Sequence, residues 1–150
     1  MANTANSIIT PQNAILATSD LTAISACTTR APTATAGLAA ANIQLFIAAN
    51  ASGDQTISQI TIKGASTSII APTVAQIVGI WRWDGTKAYL ITEISIPAFT
   101  PSTTLPSTEV STVFSNLSLA ATQALYISTT VTTTAATTAL VAIAYGAAMV

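Results

Sequence analysis

The sequence has no histidine, one cysteine, four basic and five acidic side chains in 150 residues. Each scarcity excludes something. Without histidine, general acid–base chemistry loses its usual agent. With one cysteine besides, the zinc patterns are gone, and Cys27 has no partner for an intrachain disulfide. Aspartates at 20, 54 and 84 do not form a calcium loop. The phosphate-binding glycine motifs are missing too. A formal net charge of −1 leaves no basic footprint for nucleic acid. The chain reads as a non-enzyme that needs no cofactor and no metal.

Charge is rare overall, at 6% against a typical ~25%. Apolar residues reach 51%, and mean hydropathy is +0.62. Yet no run approaches the ~20 apolar residues that a spanning helix needs. The most apolar segment, LVAIAYGAAMV (140–150), is short and interrupted by glycine. No membrane partner is expected. The opening MANTANSIITPQ lacks the basic and apolar regions of a secretory signal, so synthesis without secretion is expected. The surface must then be built from Thr, Ser, Asn, Gln and Ala. Such a surface is neutral, weakly hydrated and suited to being covered.

What is abundant is β-branched. Valine, isoleucine and threonine favour strands, and several windows alternate with period two. Strands are predicted over 21–28, 42–49, 58–64, 76–83, 87–96, 109–115, 124–131 and 139–146. In 42–49, Ile43, Leu45 and Ile47 share a face. In 58–64, Ile60 and Ile62 oppose Gln59, Thr61 and Lys63. QIVGIWRW (76–83) is apolar on both faces, as in a strand covered on both sides. In 87–96, Leu90, Ile94 and Ile96 oppose Tyr89, Ile91 and Glu93. Asp84-Gly85 is a hairpin signal, and three prolines within 97–106 exclude a central strand there. Regular short strands point to an all-β, antiparallel β-sandwich, jelly-roll-like, over residues 21–150 as one domain.

Residues 1–20 alternate poorly and contain Pro11. They read as an extended N-terminal arm anchored by Ile8, Ile9, Ile15 and Leu16. Four buried aliphatics contribute roughly 6–12 kcal/mol, whereas ordering twenty residues costs on the order of 20–40 kcal/mol. The arm therefore needs further hydrogen bonds, from its own sheet or from a neighbouring subunit.

Aromatics and charges gather in WRWDGTKAYLITEISIPAF (81–99), with Arg82, Asp84, Lys87, Glu93, both tryptophans and Tyr89. A tight turn at Asp84-Gly85 brings Trp83 near Lys87 or Ala88 and Trp81 near Tyr89, and leaves Glu93 far from the turn. The charges are then solubilising and the aromatics make cross-strand contacts. Trp81, Trp83 and Tyr89 join the arm anchors as candidate assembly contacts.

The order W-D-G-T-x-x-Y-L-I-T-E-I-x-I-P-A, a Ser/Thr/Pro loop, L-x-L-x-x-x-Q-x-L-Y-I-S-T and the closing V-A-I-A-Y-G resembles small β-sandwich proteins encoded among the virion structural genes of tailed bacteriophages. The likeness covers roughly residues 40–146 and is mostly hairpin grammar. It implies a virion protein on the capsid surface, made in the host cytoplasm. The implied role is cement or decoration, with the major capsid protein and further copies of itself as partners. Capsid positions suggest a homotrimer first and a dimer second. It transfers no functional residue. A tail or head-fibre component, or a receptor-binding module whose aromatics stack on glycans, is the alternative.

Overall fold

The computed structural model describes residues 14–32, 42–65, 74–102, 104–135 and 138–148. Among them lie eight strands and no helix. They are β1 (Ala14–Leu21), β2 (Gln44–Ile47), β3 (Gln55–Gly64), β4 (Gln76–Trp83), β5 (Ala88–Ile96), β6 (Glu109–Leu119), β7 (Ala124–Thr129) and β8 (Leu140–Ala148). Two four-stranded antiparallel sheets face each other. The first is ordered β1-β8-β3-β6 and the second β2-β7-β4-β5. The protein is an all-β sandwich.

The pairing has a simple rule. β4 pairs with β5, β3 with β6, β2 with β7 and β1 with β8. Trp83 faces Ala88, Lys63 faces Glu109 and Gln44 faces Ile127, all centred on Gly85 and Thr86. The chain is thus one long hairpin with its tip at that turn, folded over so that successive pairs alternate between the sheets. Short connections (48–54, 84–87 and 120–123) lie at one end of the sandwich.

Period-two alternation places the core between the sheets. Ile60 and Ile62 of β3 face Val78 and Ile80 of β4, Ile94 of β5 and Ile127 of β7 in one buried cluster. Three of the expected face assignments change, each at a bulge. Between β4 and β5, Ile80 faces Thr92 but Trp81 faces Leu90, so Ile91 is an extra residue. An extra residue reverses the phase of a strand. Leu90 therefore packs on the outer side with Trp81, while Ile91 turns inward beside the cluster that holds Ile94 and Ile96. In β2, Phe46 is the extra residue; Leu45 turns out to 47% exposure while Phe46 and Ile47 are buried. Trp81 also faces Leu90, not Tyr89, which pairs with Arg82.

The strand expected over 21–28 is replaced by β1, which ends at Leu21. The arm boundary expected after residue 20 therefore falls inside a strand. Residues 14–20 obtain their hydrogen bonds from β8 of their own sheet. A bulge between Ile15 and Ala17 explains the poor alternation. Ile15 points out, and Leu16 and Ala17 pack inward. Beyond Leu21, the chain runs beside 129–133 through a mixture of threonine hydroxyls and backbone carbonyls instead of a regular ladder. Ile24 N donates to Thr133 Oγ1 at 2.8 Å, Ala26 N to Thr132 Oγ1 at 3.2 Å and Cys27 N to Thr129 O at 2.8 Å.

Candidate functional site: the β4–β5 hairpin and its cover

The turn is built by one carboxylate. Asp84 Oδ1 accepts hydrogen bonds from the N–H groups of Thr86 and Lys87, each at 2.8 Å, and Asp84 N donates to Lys87 O at 3.1 Å. Gly85 sits at φ 100°, a left-handed conformation that glycine adopts freely. The amides of Lys87 and Thr86 hold the Asp84 carboxyl below its ordinary range. This ionised, solvent-facing group organises the turn.

Below the turn, the outer face of the second sheet has its own small core. Cys27, Ile43, Trp81 and Ala88 are buried there, with Trp83, Leu90 and Tyr126 packed around them. Trp81 is 1% exposed, and its indole N–H donates to Ser128 Oγ at 2.8 Å. Gly79 provides the space: a Cβ there would lie 2.7 Å from Ser128 Oγ and 3.1 Å from Trp81 Nε1.

Residues 27–30 cross this face as a strap from β7 to β5. They end at Arg30, whose Nε meets Glu93 Oε1 at 2.8 Å. Magnitudes decide what holds the strap down. Burying an indole on folding removes 150–250 Å² from water, roughly 4–6 kcal/mol as an upper estimate, and the strap, through Cys27, supplies a share of that cover. The ion pair is substantially exposed, and such pairs contribute about 0–1 kcal/mol. The strap is held by the apolar cluster, and the ion pair sets its position.

The cleft beneath the strap has a volume of about 10 Å³, bordered by Cys27, Arg30, Trp81, Glu93 and Ser128 among others. That is the space of about one water, far below the ~300–1,000 Å³ of small-molecule sites. Two larger depressions, of about 360 and 210 Å³, lie along β6 and are lined by no charged side chain. Among the described residues no three of His, Cys, Asp and Glu gather.

The candidate contacts separate in space. Ile8 and Ile9 lie outside the described residues. Ile15 stands 61% exposed on the outer face of the first sheet, while Leu16 packs against the core. Trp81 is enclosed, Trp83 half-buried, and Tyr89 is 37% exposed beside Arg82. Trp81 thus serves the interior and presents no surface. Sequence reasoning missed Arg30, because its partner Glu93 is 63 residues away and nothing local marks the pair. It also missed Val113, the most exposed large apolar residue among the described residues at 75%, although EVSTVFS places it on the same strand face as Glu109 and Ser111.

No family model, curated protein or solved structure matches this chain. The likeness to phage virion proteins therefore rests on the motifs quoted above.

Proposed function

We propose that this protein is a structural component of a bacteriophage particle. In this reading it is a cement or decoration protein that binds the outside of the shell and stabilises it by contact. The observation that carries the reading is the winding. One long hairpin folded into two facing sheets supports a jelly-roll reading, and viral capsid and lectin domains share that architecture. Carbohydrate recognition by stacking needs open aromatic faces, and the Trp81 ring and N–H are already committed to the interior. A capsid role needs only surface fit.

Composition supports the same reading. Few charges repel a neighbour, and Thr, Ser and Ala lose little rotamer entropy when covered. The partner is the major capsid protein. Repetition supplies the strength: a modest contact repeated over a shell, with copies joined to one another, gains through multivalency. Exposed Tyr89 at the hairpin end keeps a second reading, a tail or head-fibre module that meets host glycans.

Gold-labelled antibody against the purified protein, applied to intact particles, tests both readings. Label over the whole head is expected. Label confined to the tail or to fibres transfers the protein to the second reading, and particles without label end both.

A further inference from the structure

The two outer faces of the sandwich are treated differently. The second sheet's is covered by residues 27–30 and the Trp81 cluster over β7, β4 and β5, with Leu45 of β2 left open. The first sheet's presents three cross-strand rows, fixed by the register. One is Ile15, Tyr145, Gln59 and Val113; the next is Thr18, Ile143, Thr61 and Ser111; the last is Asp20, Val141, Lys63 and Glu109. Direct antiparallel partners point to the same side of a sheet, so all twelve share this face. Its flanks stand in solvent at Ile15 and Val113.

Part of the polar surface of this face is bonded internally. Gln59 Nε2 donates to Thr61 Oγ1 at 3.0 Å, and Thr61 Oγ1 and Ser111 Oγ share a hydrogen bond at 2.8 Å. Lys63 meets Glu109 at 3.5 Å in the end row. Hydroxyls paired in this way are covered at little desolvation cost, because they keep their partners when water leaves. Charge is confined to one end row, so the other two rows are free to become dry.

We infer that the outer face of the first sheet is an interface, and that its occupant is a second copy of this chain related by a two-fold axis along the strands. That operation lays β1 of one copy over β6 of the other. Ile15 then meets the second copy's Val113, and Tyr145 meets its Gln59, twice over by symmetry. The apolar flank residues thus cover each other, and the charged rows stay together at the rim, where solvent screens Asp20 from the second copy's Glu109, itself paired with Lys63. Aligned sheet packing at ~10 Å is the usual geometry for such faces. Four strands at ~4.8 Å spacing and eight residues at ~3.3 Å give a footprint of about 500 Å². A pair buries about 1,000 Å², which meets the minimum for a specific interface. The face therefore fits a two-fold pair, where shell positions alone had suggested a trimer. The pairing does not depend on the shell role.

Sedimentation of the full-length protein over a range of concentrations tests this. The parent is expected to form dimers. Ile15→Glu and Val113→Glu, both at solvent-open positions in the single copy, are each expected to weaken the dimer at least tenfold. Leu45→Glu, on the second sheet, leaves it unchanged. In a Cys27→Ala background, an Ile15→Cys copy mixed with a Val113→Cys copy is expected to cross-link through a short bismaleimide in preference to either copy with itself. A parent that is monomeric throughout overturns the inference, as does an oligomer indifferent to both charge substitutions. A parent that dimerises only after residues 2–13 are deleted also overturns it, since the N-terminal segment of the same chain is then the occupant. Gold labelling of the head can succeed while any of these fails, so the two proposals fall separately.

Discussion

The indole of Trp81 on β4 and the hydroxyl of Ser128 on β7 are joined by a 2.8 Å hydrogen bond in a buried cluster. Ser128→Ala leaves the indole N–H without that partner. A buried unpaired donor costs about 1–3 kcal/mol. Urea unfolding followed by tryptophan fluorescence is expected to show a loss in that range. Gly79→Ala inserts a methyl group against both partners, and overpacking costs about 1–3 kcal/mol. A Gly79→Ala protein as stable as the parent would mean that Ser128 has another place to go.

Gly85 isolates backbone strain from packing. A Cβ at this position meets nothing within 4 Å, yet φ is +100°. Gly85→Val is expected to destabilise by about 1–2 kcal/mol through conformation alone, and Gly85→Asn by less, because asparagine tolerates positive φ. Thermal melts of the two variants check the order. Equal melting of parent and Gly85→Val would remove the argument for the turn.

Asp84 links the turn to pH. Its folded pKa is held below the ordinary aspartate value by the Lys87 and Thr86 amides. The carboxylate therefore contributes stability that is fully present above the unfolded pKa and is lost as pH falls through the lower folded pKa. In acid titration, Asp84→Ala is expected to show a shallower loss of stability below the ordinary aspartate range than the parent. Identical acid limbs would show that the amide bonds do not discriminate between the two protonation states.

The strap separates apolar from ionic contributions. Glu93→Gln is expected to change stability by less than ~1 kcal/mol, with an effect that fades in salt. Cys27→Ser buries a hydroxyl in the Trp81 cluster and is expected to cost more, about 1–3 kcal/mol. Chemical denaturation at low and high salt measures both. A larger loss at Glu93 than at Cys27 would reverse the order of contributions argued here.

Much of the architecture is legible residue by residue. β-branched alternation located β2 to β8 to within a few residues, because a strand's period of two is a local property. The Asp84-Gly85 turn was legible for the same reason: positive φ and an Asx carboxylate act over four residues. From that turn, antiparallel strands followed on either side.

Tertiary structure decided what depends on phase and on distant partners. A bulge adds one residue and exchanges faces, so Leu90 and Ile91, or Leu45 and Phe46, trade inside for outside with no change in composition. β1 was hidden because its bulge at Leu16 breaks the alternation by which a strand is recognised. Arg30 with Glu93, Trp81 with Ser128, and the row from Ile15 to Val113 exist only once the long hairpin has been folded over. Contacts between residues so far apart are fixed by register across several strands, and no window of sequence contains that register.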